Sequence, residues 1–383
     1  MKVIIIGCGK VGYTLAQQLN EEGHEVTLVD RSAERLQPAL NNLDVQAIVG
    51  NGSSFEVQKE AGVKDADLLI AVTDQDEINL ISCLIAKKSG NCRTIARVRN
   101  PEYSADMDYL KLCIGMSLVI NPEYAAGAEI AQLVDIPEAA EVDSFARGRV
   151  ELIQTVIPED SILNGMTVQE FSKMLNHKVL VCIQLHDGEV SIPKGRSVLH
   201  SGDTISVILP KKFIPRFYRE CKLGNMKDYD DVMIVGGGRT TFYLAQRLIK
   251  AGYTVKIVEE DDERCHLLSE SLPEATIIHA DATDHDALLD EGLDKVDVFV
   301  SLLAEDERNA FLSLYVNKIN PKCRRIVRLE RLRGSVIVDG LSLGSIVSPR
   351  DITTEYILQF VRSRTASKGD NVEALYRLMD NRV

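Results

Sequence analysis

Three glycines near the N-terminus have the spacing of a phosphate-binding turn. Gly7, Gly9 and Gly12 form a G-x-G-x-x-G pattern after a short apolar run and before an amphipathic segment. The first glycine permits the tight turn, the second lets the backbone approach a pyrophosphate, and the third allows the helix to pack closely on the strand. The free N–H groups and positive dipole end of the helix would then attract the phosphates. The pattern therefore predicts a nucleotide site.

An acidic residue stands where the ribose of such a nucleotide would lie. Asp30 is 18 residues past Gly12, at the end of the second apolar run, where a carboxylate can bond both ribose hydroxyls. Arg31 follows it, and an arginine at this point can accept the 2′-phosphate of NADP. The retained acid would repel that phosphate, so we expect the unphosphorylated ribose. The alternative for Arg31 is a solvated side chain at a helix start.

Small and polar residues end the third apolar run. In Gly50-Asn51-Gly52-Ser53 the small residues would let an adenine ring pack closely, while Asn51 bonds its edge. The alternative is that Ser53 caps the following helix, and both roles can hold together.

Two further loops follow the fourth and fifth runs. Thr73-Asp74-x-Asp76-Glu77-x-Asn79 would lie at the carboxyl edge of the sheet, where ligands of open α/β sheets bind. Its carboxylates suggest acid–base chemistry, but the spacing of Asp74 and Glu77 also fits a structural capping box. Arg97 and Arg99 can reach phosphates as a bidentate fork; the alternative for both is a surface arginine.

The chain contains the same pattern twice. Residues from Val3 match residues from Val232 with an offset of 229, which rises to 230 and then 231 further along the chain. Slips of one residue belong in loops. A period near 230 residues is too long for a solenoid, so it indicates a duplicated domain.

The second repeat departs from the glycine pattern. It reads Gly236-x-Gly238-x-x-Thr241, so a β-branched residue replaces the third glycine. Glu259 keeps the acidic position, Asp281 matches Asn51, and Arg328 matches Arg97. A second site with altered affinity or ligand choice and a site that no ligand occupies both stay open. Thr283, the counterpart of Ser53, is again a candidate helix cap.

Short apolar strands alternate with amphipathic helices in each repeat, which predicts an α/β fold with two Rossmann-like, doubly wound parallel sheets. A small β-rich α+β lobe is expected between them. The predicted domains are residues 1–140, a Rossmann domain with a terminal helix; 141–224, the small lobe; 229–366, the second Rossmann domain with its terminal helix; and 367–383, a linker and the start of a further small lobe.

Composition excludes several functional classes. The net charge of −13 argues against nucleic acid as a partner, and no apolar run reaches the ~20 residues that span a bilayer. The seven histidines and eight cysteines lack metal-ligand spacing, so no metal site is expected; His279, Asp281 and His285 are better explained as loop neighbours within the repeat.

The sequence resembles one known family over the whole chain. The resemblance rests on the glycine motif, Asp30, the segments 50–53, 72–79 and 95–103 including Pro101, and the small-lobe stretch from Ile192 to Thr204. These segments resemble the N-lobe and C-lobe of regulators of potassium conductance, known as RCK domains. The family pattern is two N-lobe/C-lobe pairs, so we expect this chain to lack a last C-lobe and to come from a longer protein.

The resemblance implies a regulatory subunit and no catalysis. Its implied ligands are NAD(H) or ATP/ADP, and its implied partner is a membrane potassium channel or transporter subunit of the Trk type. Eight N-lobes would form a ring, for which four chains with two lobes each would suffice. The expected homo-oligomer is a dimer or tetramer in the cytoplasm, on the inner face of the cell membrane. The helices after Asn121 and Ser348 resemble crossover helices that swap onto a neighbouring lobe.

Two other functions compete with this one. An NAD-dependent dehydrogenase with a duplicated cofactor domain would need an acid or base near the nicotinamide, and the small lobe offers His177, His186 and His200 without an evident constellation. A redox-sensing repressor would need a basic helix-turn-helix, which is not evident. The predicted ligand-contacting residues are Gly7, Gly9, Lys10, Val11, Gly12, Asp30, Arg31, Asn51, Gly52, Ser53, Thr73 and Arg97, with Gly236, Gly238, Glu259, Asp281 and Arg328 in the second repeat.

Overall fold

The computed structural model describes residues 1–100, 103, 107–135, 141–145, 150–176, 178–210, 213–223, 229–331, 338 and 341–366. Pro101, His177 and the predicted linker and truncated lobe at 367–383 lie outside the described residues.

The first repeat is a six-stranded parallel sheet of the predicted Rossmann type. Its strand order is β3-β2-β1-β4-β5-β6, which reverses direction beside β1, as in doubly wound nucleotide-binding sheets. The strands are β1 (Lys2–Ile6), β2 (Glu25–Asp30), β3 (Gln46–Val49), β4 (Leu68–Ala71), β5 (Arg93–Arg97) and β6 (Leu118–Ile120). β1 and β4 lie at the centre and are apolar on both faces, because helices cover both sides.

Helices connect these strands as the periodicity predicts. They are α1 (Lys10–Glu21), α2 (Ala33–Asn42), α3 (Phe55–Glu60), α4 (Asp76–Ser89), α5 (Met107–Ile114) and α6 (Pro122–Asp135). In α1 the buried face carries Leu15, Ala16 and Leu19, one turn apart, against the sheet. Helix α5 was not predicted.

The small lobe is β-rich, as expected, and its strands form a five-stranded antiparallel sheet. Its order is β10-β9-β11-β8-β7, with β7 (Glu141–Phe145), β8 (Val150–Val156), β9 (Leu180–His186), β10 (Glu189–Ser191) and β11 (Thr204–Pro210). Two helices, α7 (Val168–Met174) and α8 (Ile214–Cys221), complete it and supply the helical part of the expected α+β lobe. Phe171 of α7 and Phe217 of α8 pack in the core of the lobe with their ring centres 6.2 Å apart.

The second repeat has the same topology, with the order β14-β13-β12-β15-β16-β17. Its strands are β12 (Asp231–Val235), β13 (Thr254–Glu259), β14 (Thr276–His279), β15 (Val298–Ser301), β16 (Arg324–Arg328) and β17 (Ser345–Val347). Its helices are α9 (Arg239–Ala251), α10 (Asp262–Ser271), α11 (His285–Asp290), α12 (Asp306–Ile319) and α13 (Pro349–Ala366).

The chain divides into two compact units, and the division does not follow chain order. The first unit holds residues 1–126 and the segment from Ser348 that forms α13. Within it, Ile357, Leu358 and Val361 of α13 are buried in one core with Leu15 and Leu19 of α1. The helix after the second sheet therefore packs on a helix of the first, as the resemblance to crossover helices implied.

The second unit holds residues 127–347, and the end of α6 packs closely within it. A Cβ added to Gly127 would lie 3.0 Å from the backbone N of Leu244 and 3.2 Å from the carbonyl of Thr240, both in α9. Both terminal helices also begin with the expected proline, Pro122 and Pro349.

Candidate functional site

The glycine turn after β1 has the geometry that its spacing predicts. Gly7 has φ +99°, and its N–H donates to the carbonyl of Val29 over 2.8 Å. A Cβ on Gly12 would lie 1.9 Å from the Gly7 carbonyl oxygen. Side chains at both positions would therefore disrupt the turn, and the close approach predicted for the third glycine is confirmed.

Helix α1 begins at this turn without a side-chain cap. Gly9 is its N-cap, and the Tyr13 N–H donates to the Gly9 carbonyl in the first turn. The N–H groups at the start of a helix have no partner in the helix itself, so those of Lys10, Val11 and Gly12 are available to an anion. A Cβ on Gly9 would meet no described atom within 4 Å, so open space lies in front of this helix end.

Asp30 lies at the end of β2, beside the glycine turn. Its Oδ2 accepts a hydrogen bond from the Cys8 N–H at 2.7 Å, and its Oδ1 accepts from the Ser32 N–H at 2.9 Å. The carboxylate is thus fixed against the turn and can still use its remaining lone pairs towards a ribose. Arg31 beside it is exposed, and a ligand contact for either residue stays a prediction.

The loop after β3 is held by Asn51 itself. Its Oδ1 accepts from the N–H of Ser53 at 3.1 Å and from its hydroxyl at 2.9 Å. The N-cap of α3 is Ser54, and the N-cap of α11 in the second repeat is Asp284, whose side chain accepts from the Ala287 N–H. The prediction that Ser53 and Thr283 cap these helices is therefore wrong, because each helix starts one residue later.

The glycines of the same loop are small for a reason that the sequence did not suggest. A Cβ on Gly52 would lie 2.0 Å from Cγ2 of Ile6, and one on Gly50 would lie 2.8 Å from Cγ2 of Val57. Both positions face neighbouring apolar side chains, so packing alone requires their small size. A contact of Gly52 or Ser53 with a ligand stays a prediction.

A fully buried amide joins the ends of β4 and β5. Asn79 accepts from the Thr73 N–H at 2.8 Å and donates to the carbonyls of Thr73 at 3.1 Å and of Arg97 at 2.8 Å. The Thr73 hydroxyl donates to the same Asn79 oxygen, also at 2.8 Å. Thr73 and Arg97, which are distant in sequence, are thereby brought to one sheet edge, as predicted.

The acidic segment at the start of α4 has a structural role that differs from a capping box. The N-cap is Gln75, with no side-chain hydrogen bond, so the box predicted for Asp74 and Glu77 is wrong. Instead Asp76 Oδ2 accepts the N–H groups of Arg99 and Asn100, each at 2.8 Å. The carboxylate fixes the loop after β5 because two backbone donors converge on it.

Arg97 retains a donor that is buried without a partner. Its Nη2 donates to the Thr73 carbonyl at 2.6 Å, while among the described residues its buried Nε finds no acceptor. Burial, and then the nearby charge of Arg99, lower the pKa of Arg97. Buried unpaired donors are costly, so this cation is suited to an anionic ligand such as a phosphate. Arg99 also donates to the Asp74 carbonyl, at 3.1 Å.

The second repeat has the same arrangement at the carboxyl ends of its strands, with several residues substituted. Gly236 again has a positive φ, of +95°, and Gly238 again caps its helix without a side chain. Glu259 accepts from the Gly237 N–H at 2.5 Å and from the Asp261 N–H at 2.9 Å. Thr241 is fully buried, and its hydroxyl donates to the Gly236 carbonyl. In the first repeat a Cβ at Gly12 would clash with the equivalent carbonyl, that of Gly7; in the second repeat the threonine donates a hydrogen bond to this carbonyl instead.

The other two predicted residues of the second repeat, Asp281 and Arg328, have protein partners, although the buried Nε of Arg328, like that of Arg97, finds no acceptor among the described residues. Asp281 accepts from the Thr283 N–H at 2.8 Å and from Arg308 Nη2 at 2.9 Å. These bonds, the backbone one first, lower the pKa of Asp281. Arg328 Nη2 lies 3.5 Å from Glu330 Oε1. A ligand contact for either residue stays a prediction.

Sequence reasoning missed two residues of these sites, Cys8 and Arg308. Cys8 is buried, and burial first, then the charge of Asp30, raises the pKa of its thiol to about 11. Arg308 replaces an isoleucine of the first repeat, Ile78, and the repeat alignment could have found it. Cys8 occupies a variable position of the glycine motif and Arg308 lies outside the motifs, so the residue types that define those motifs point to neither.

Among the described residues no group of three or more His, Cys, Asp or Glu side chains could hold a metal ion. His279 bonds the Glu260 carbonyl and His285 stacks on Tyr315 with ring centres 3.9 Å apart. In the described ranges no helix has both the length and the apolar character needed to cross a bilayer.

The sequence is similar to proteins of bacterial and archaeal potassium uptake. A model of the TrkA-N domain matches residues 3–122 and 232–349. The chain is 34% identical to the Trk system potassium uptake protein TrkA of Haemophilus influenzae, over 97% of this chain and 80% of that protein. It is 31% identical to the Trk system potassium uptake protein TrkA homolog of Archaeoglobus fulgidus, over 95% of this chain and 81% of the relative.

Solved structures with a similar fold include the GsuK channel bound to NAD and GsuK bound to ADP. The GsuK channel bound to NAD matches 96% of this chain with a TM-score of 0.70 and 18% identity, and this chain spans 64% of that one, less than two thirds of its length. GsuK bound to ADP matches 95% of this chain and 69% of that one, with a TM-score of 0.59 and 15% identity. At these identities the likeness is one of fold.

Proposed function

Because this chain belongs to the TrkA-N domain family, we propose that it is a nucleotide-binding regulatory subunit of a membrane potassium uptake system. It would bind NAD(H) or ATP/ADP in its first Rossmann domain and act at the cytoplasmic face of the membrane without catalysing a reaction. The relatives named as Trk potassium uptake proteins, and the GsuK structures with NAD and ADP, support this assignment.

Two features of the first repeat support the proposal most directly. The uncapped start of α1 faces open space at Gly9, and the buried Nε of Arg97 finds no acceptor among the described residues. Backbone N–H groups and a guanidinium are the donors that phosphate oxygens prefer. Asp30 at the end of β2 supplies the carboxylate that a ribose needs, so the residues present fit an adenine nucleotide.

Regulation would follow from a difference in affinity. A bound nucleotide shifts the subunit between two shapes only as far as it prefers one of them, and each tenfold preference is worth about 1.4 kcal/mol. Which of the nucleotides opens the pore is decided by that preference.

Titration of NADH, NAD⁺, ADP and ATP into the purified chain tests the proposal. We expect at least one to bind, and Gly9→Asp to weaken its affinity at the first site at least tenfold, because a carboxylate would enter the open space in front of the helix and repel the phosphates. Gly195→Asp is the matched control: its Cβ would make only ordinary contact with Gln169, at 3.6 Å, in the small lobe. Equal affinity of Gly9→Asp and the parent would refute the phosphate site.

A second measurement separates regulation from catalysis. Potassium flux through the membrane subunit reconstituted with this chain should change with nucleotide, and Gly9→Asp should abolish that response. Substrate-dependent oxidation of NADH by the purified chain would instead favour a dehydrogenase.

The proposal includes a homo-oligomer, a dimer or tetramer; with two Rossmann domains in each chain, a tetramer brings eight of them into a ring and a dimer supplies half of that ring. Equivalent helices of the two repeats expose apolar side chains at equivalent positions: Ile81 in α4 is 44% exposed and Phe311 in α12 is 73% exposed. Such a repeated apolar position suits a repeated contact with other copies. Light scattering should give a smaller particle for Ile81→Asp with Phe311→Asp than for the parent, and an unchanged mass would refute this contact.

A further inference from the structure

The two repeats differ in charge at the strand ends where the adenosine half of the proposed nucleotide would lie. Where the first repeat has Ile78 at the start of α4, the second has Arg308 at the start of α12. Where the first has Arg31 after β2, the second has Glu260 after β13. These exchanges lie outside the glycine turns, so they alter the base and ribose end of the site.

Arg308 connects three loops of the second repeat. Its Nη2 lies 2.9 Å from Asp281 Oδ1 and 3.7 Å from Glu260 Oε2, and its Nη1 lies 3.7 Å from Glu305 Oε2. Asp281 follows β14, Glu260 follows β13 and Glu305 follows β15. In open α/β sheets the crevice outside these strand ends is where the nucleotide binds. The guanidinium therefore bridges the loops between which an adenine ring would insert.

Asp281 is the residue most affected. It occupies the position of Asn51, and its Oδ1 already accepts from both Thr283 and Arg308. Charge-assisted bonds of this kind are about twice as strong as neutral ones, so the neutral amino group of an adenine is a weaker donor to that oxygen than Arg308.

We propose that Arg308 closes the adenine end of the second site, so that the first repeat is the higher-affinity site for adenine nucleotides. The inference rests on the proposed function, because it assumes that the first repeat binds such a nucleotide. Arg308 is thus a residue that sets specificity between two sites of one chain, and Ile78, half-buried and uncharged, leaves the first site open.

Calorimetric titration of ADP into the full chain with the first site disabled by Gly9→Asp tests the inference. Adding Arg308→Ile, which installs the residue of the first repeat, should raise the affinity of the second site at least tenfold. The control Arg216→Ile removes the same charge from an exposed position on α8, where Arg216 pairs with Glu220 at 2.6 Å, and should leave the affinity unchanged.

An unchanged or weaker affinity of the Arg308→Ile variant would overturn the inference, since Arg308 would then be neutral or would itself contact the nucleotide. The reciprocal pair Ile78→Arg with Asn51→Asp, in a chain whose second site carries Gly238→Asp, should weaken the first site at least tenfold. A parent chain that binds no adenine nucleotide at all would refute the proposed function, whereas binding by the parent without any gain from Arg308→Ile refutes only the role of Arg308.

Discussion

Gly237 leaves the space that Glu259 occupies. A Cβ on Gly237 would lie 2.8 Å from Glu259 Oε2 and 2.7 Å from Cδ1 of Leu268. In the first repeat the same three positions hold Cys8, Asp30 and Ala39. In the first repeat the cysteine side chain beside the glycine turn is therefore accommodated by a shorter acid and a smaller apolar residue. The two turns keep the same backbone shape with different side chains packed against them.

This compensation predicts strongly coupled mutations. Gly237→Cys alone should lower the free energy of unfolding of the second repeat by about 1–3 kcal/mol, because it overpacks a filled space. The triple variant with Glu259→Asp and Leu268→Ala copies the first repeat and should recover most of that loss, since residues in contact are not additive. Urea-induced unfolding of the single, double and triple variants measures the coupling, and additive losses would contradict it.

The buried amide at the start of α4 has a counterpart that makes the same bonds. Asn309 accepts from the Leu303 N–H at 2.9 Å and donates to the carbonyls of Leu303 and Arg328, each at 3.0 Å. Asn79→Ala should leave backbone groups of Thr73 and Arg97 without their hydrogen-bond partner. Each group that becomes buried and unpaired should lower the free energy of unfolding by about 1–3 kcal/mol. Hydrogen exchange in β4 and β5 should accelerate.

Asn309→Ala should have the same effect on β15 and β16, because the geometry is the same. Asn41→Ala, an exposed asparagine of α2, serves as the control and should change exchange little. Equal exchange in the Asn79→Ala and Asn41→Ala variants would show that the amide does not hold the strand ends.

The sequence was informative where the structural cause is local. Apolar runs located the strands, the glycine spacing located the turn, and Asp30 was placed beside it, because periodicity and backbone conformation are read from neighbouring residues. The helix caps and the roles of Asp76, Gly52 and Arg308 were missed. The roles of Asp76, Gly52 and Arg308 depend on partners from other loops or strands, such as Ile6 beside Gly52, and a local pattern contains no information about such partners. The caps are local, and they were missed because residues able to cap a helix stand side by side there, as in Ser53-Ser54 and Thr283-Asp284.

The small lobe contains a pH-dependent pair. His186 Nδ1 lies 2.5 Å from Asp203 Oδ1, with Asp187 3.6 Å from its other nitrogen and the His200 ring 4.8 Å away. The hydrogen bond to Asp203, and then its charge, raise the pKa of His186. Burial raises the pKa of Asp203, but its bonds from His186, His200 and Gln184 outweigh that and leave it lowered.

A histidine whose pKa is raised on folding stabilises the folded state fully below its unfolded value of about 6.5, and this contribution is lost as the pH rises through the raised value. The small lobe should therefore exchange its amide hydrogens faster, after correction for intrinsic rates, above that value than below it. NMR titration should place the pKa of His186 above about 6.5, and Asp203→Asn should bring it down. If the pKa of His186 stayed the same in the Asp203→Asn variant, the pairing would be contradicted.

The helix at the far end of the chain should control the stability of the first repeat. Ile357 is completely buried in the core that α13 shares with α1, and Arg362 of α13 donates to Glu22 Oε1 from Nε at 2.9 Å and from Nη2 at 2.6 Å. Ile357→Ala should remove about 2–5 kcal/mol through lost burial and a residual cavity. Because the partner helix is more than 330 residues away in sequence, the effect should appear as faster hydrogen exchange in α1, with α9 unaffected. Tyr356→Ala, at a half-exposed neighbour, should leave α1 unchanged; if both variants loosened α1 equally, the packing of Ile357 would not be the cause.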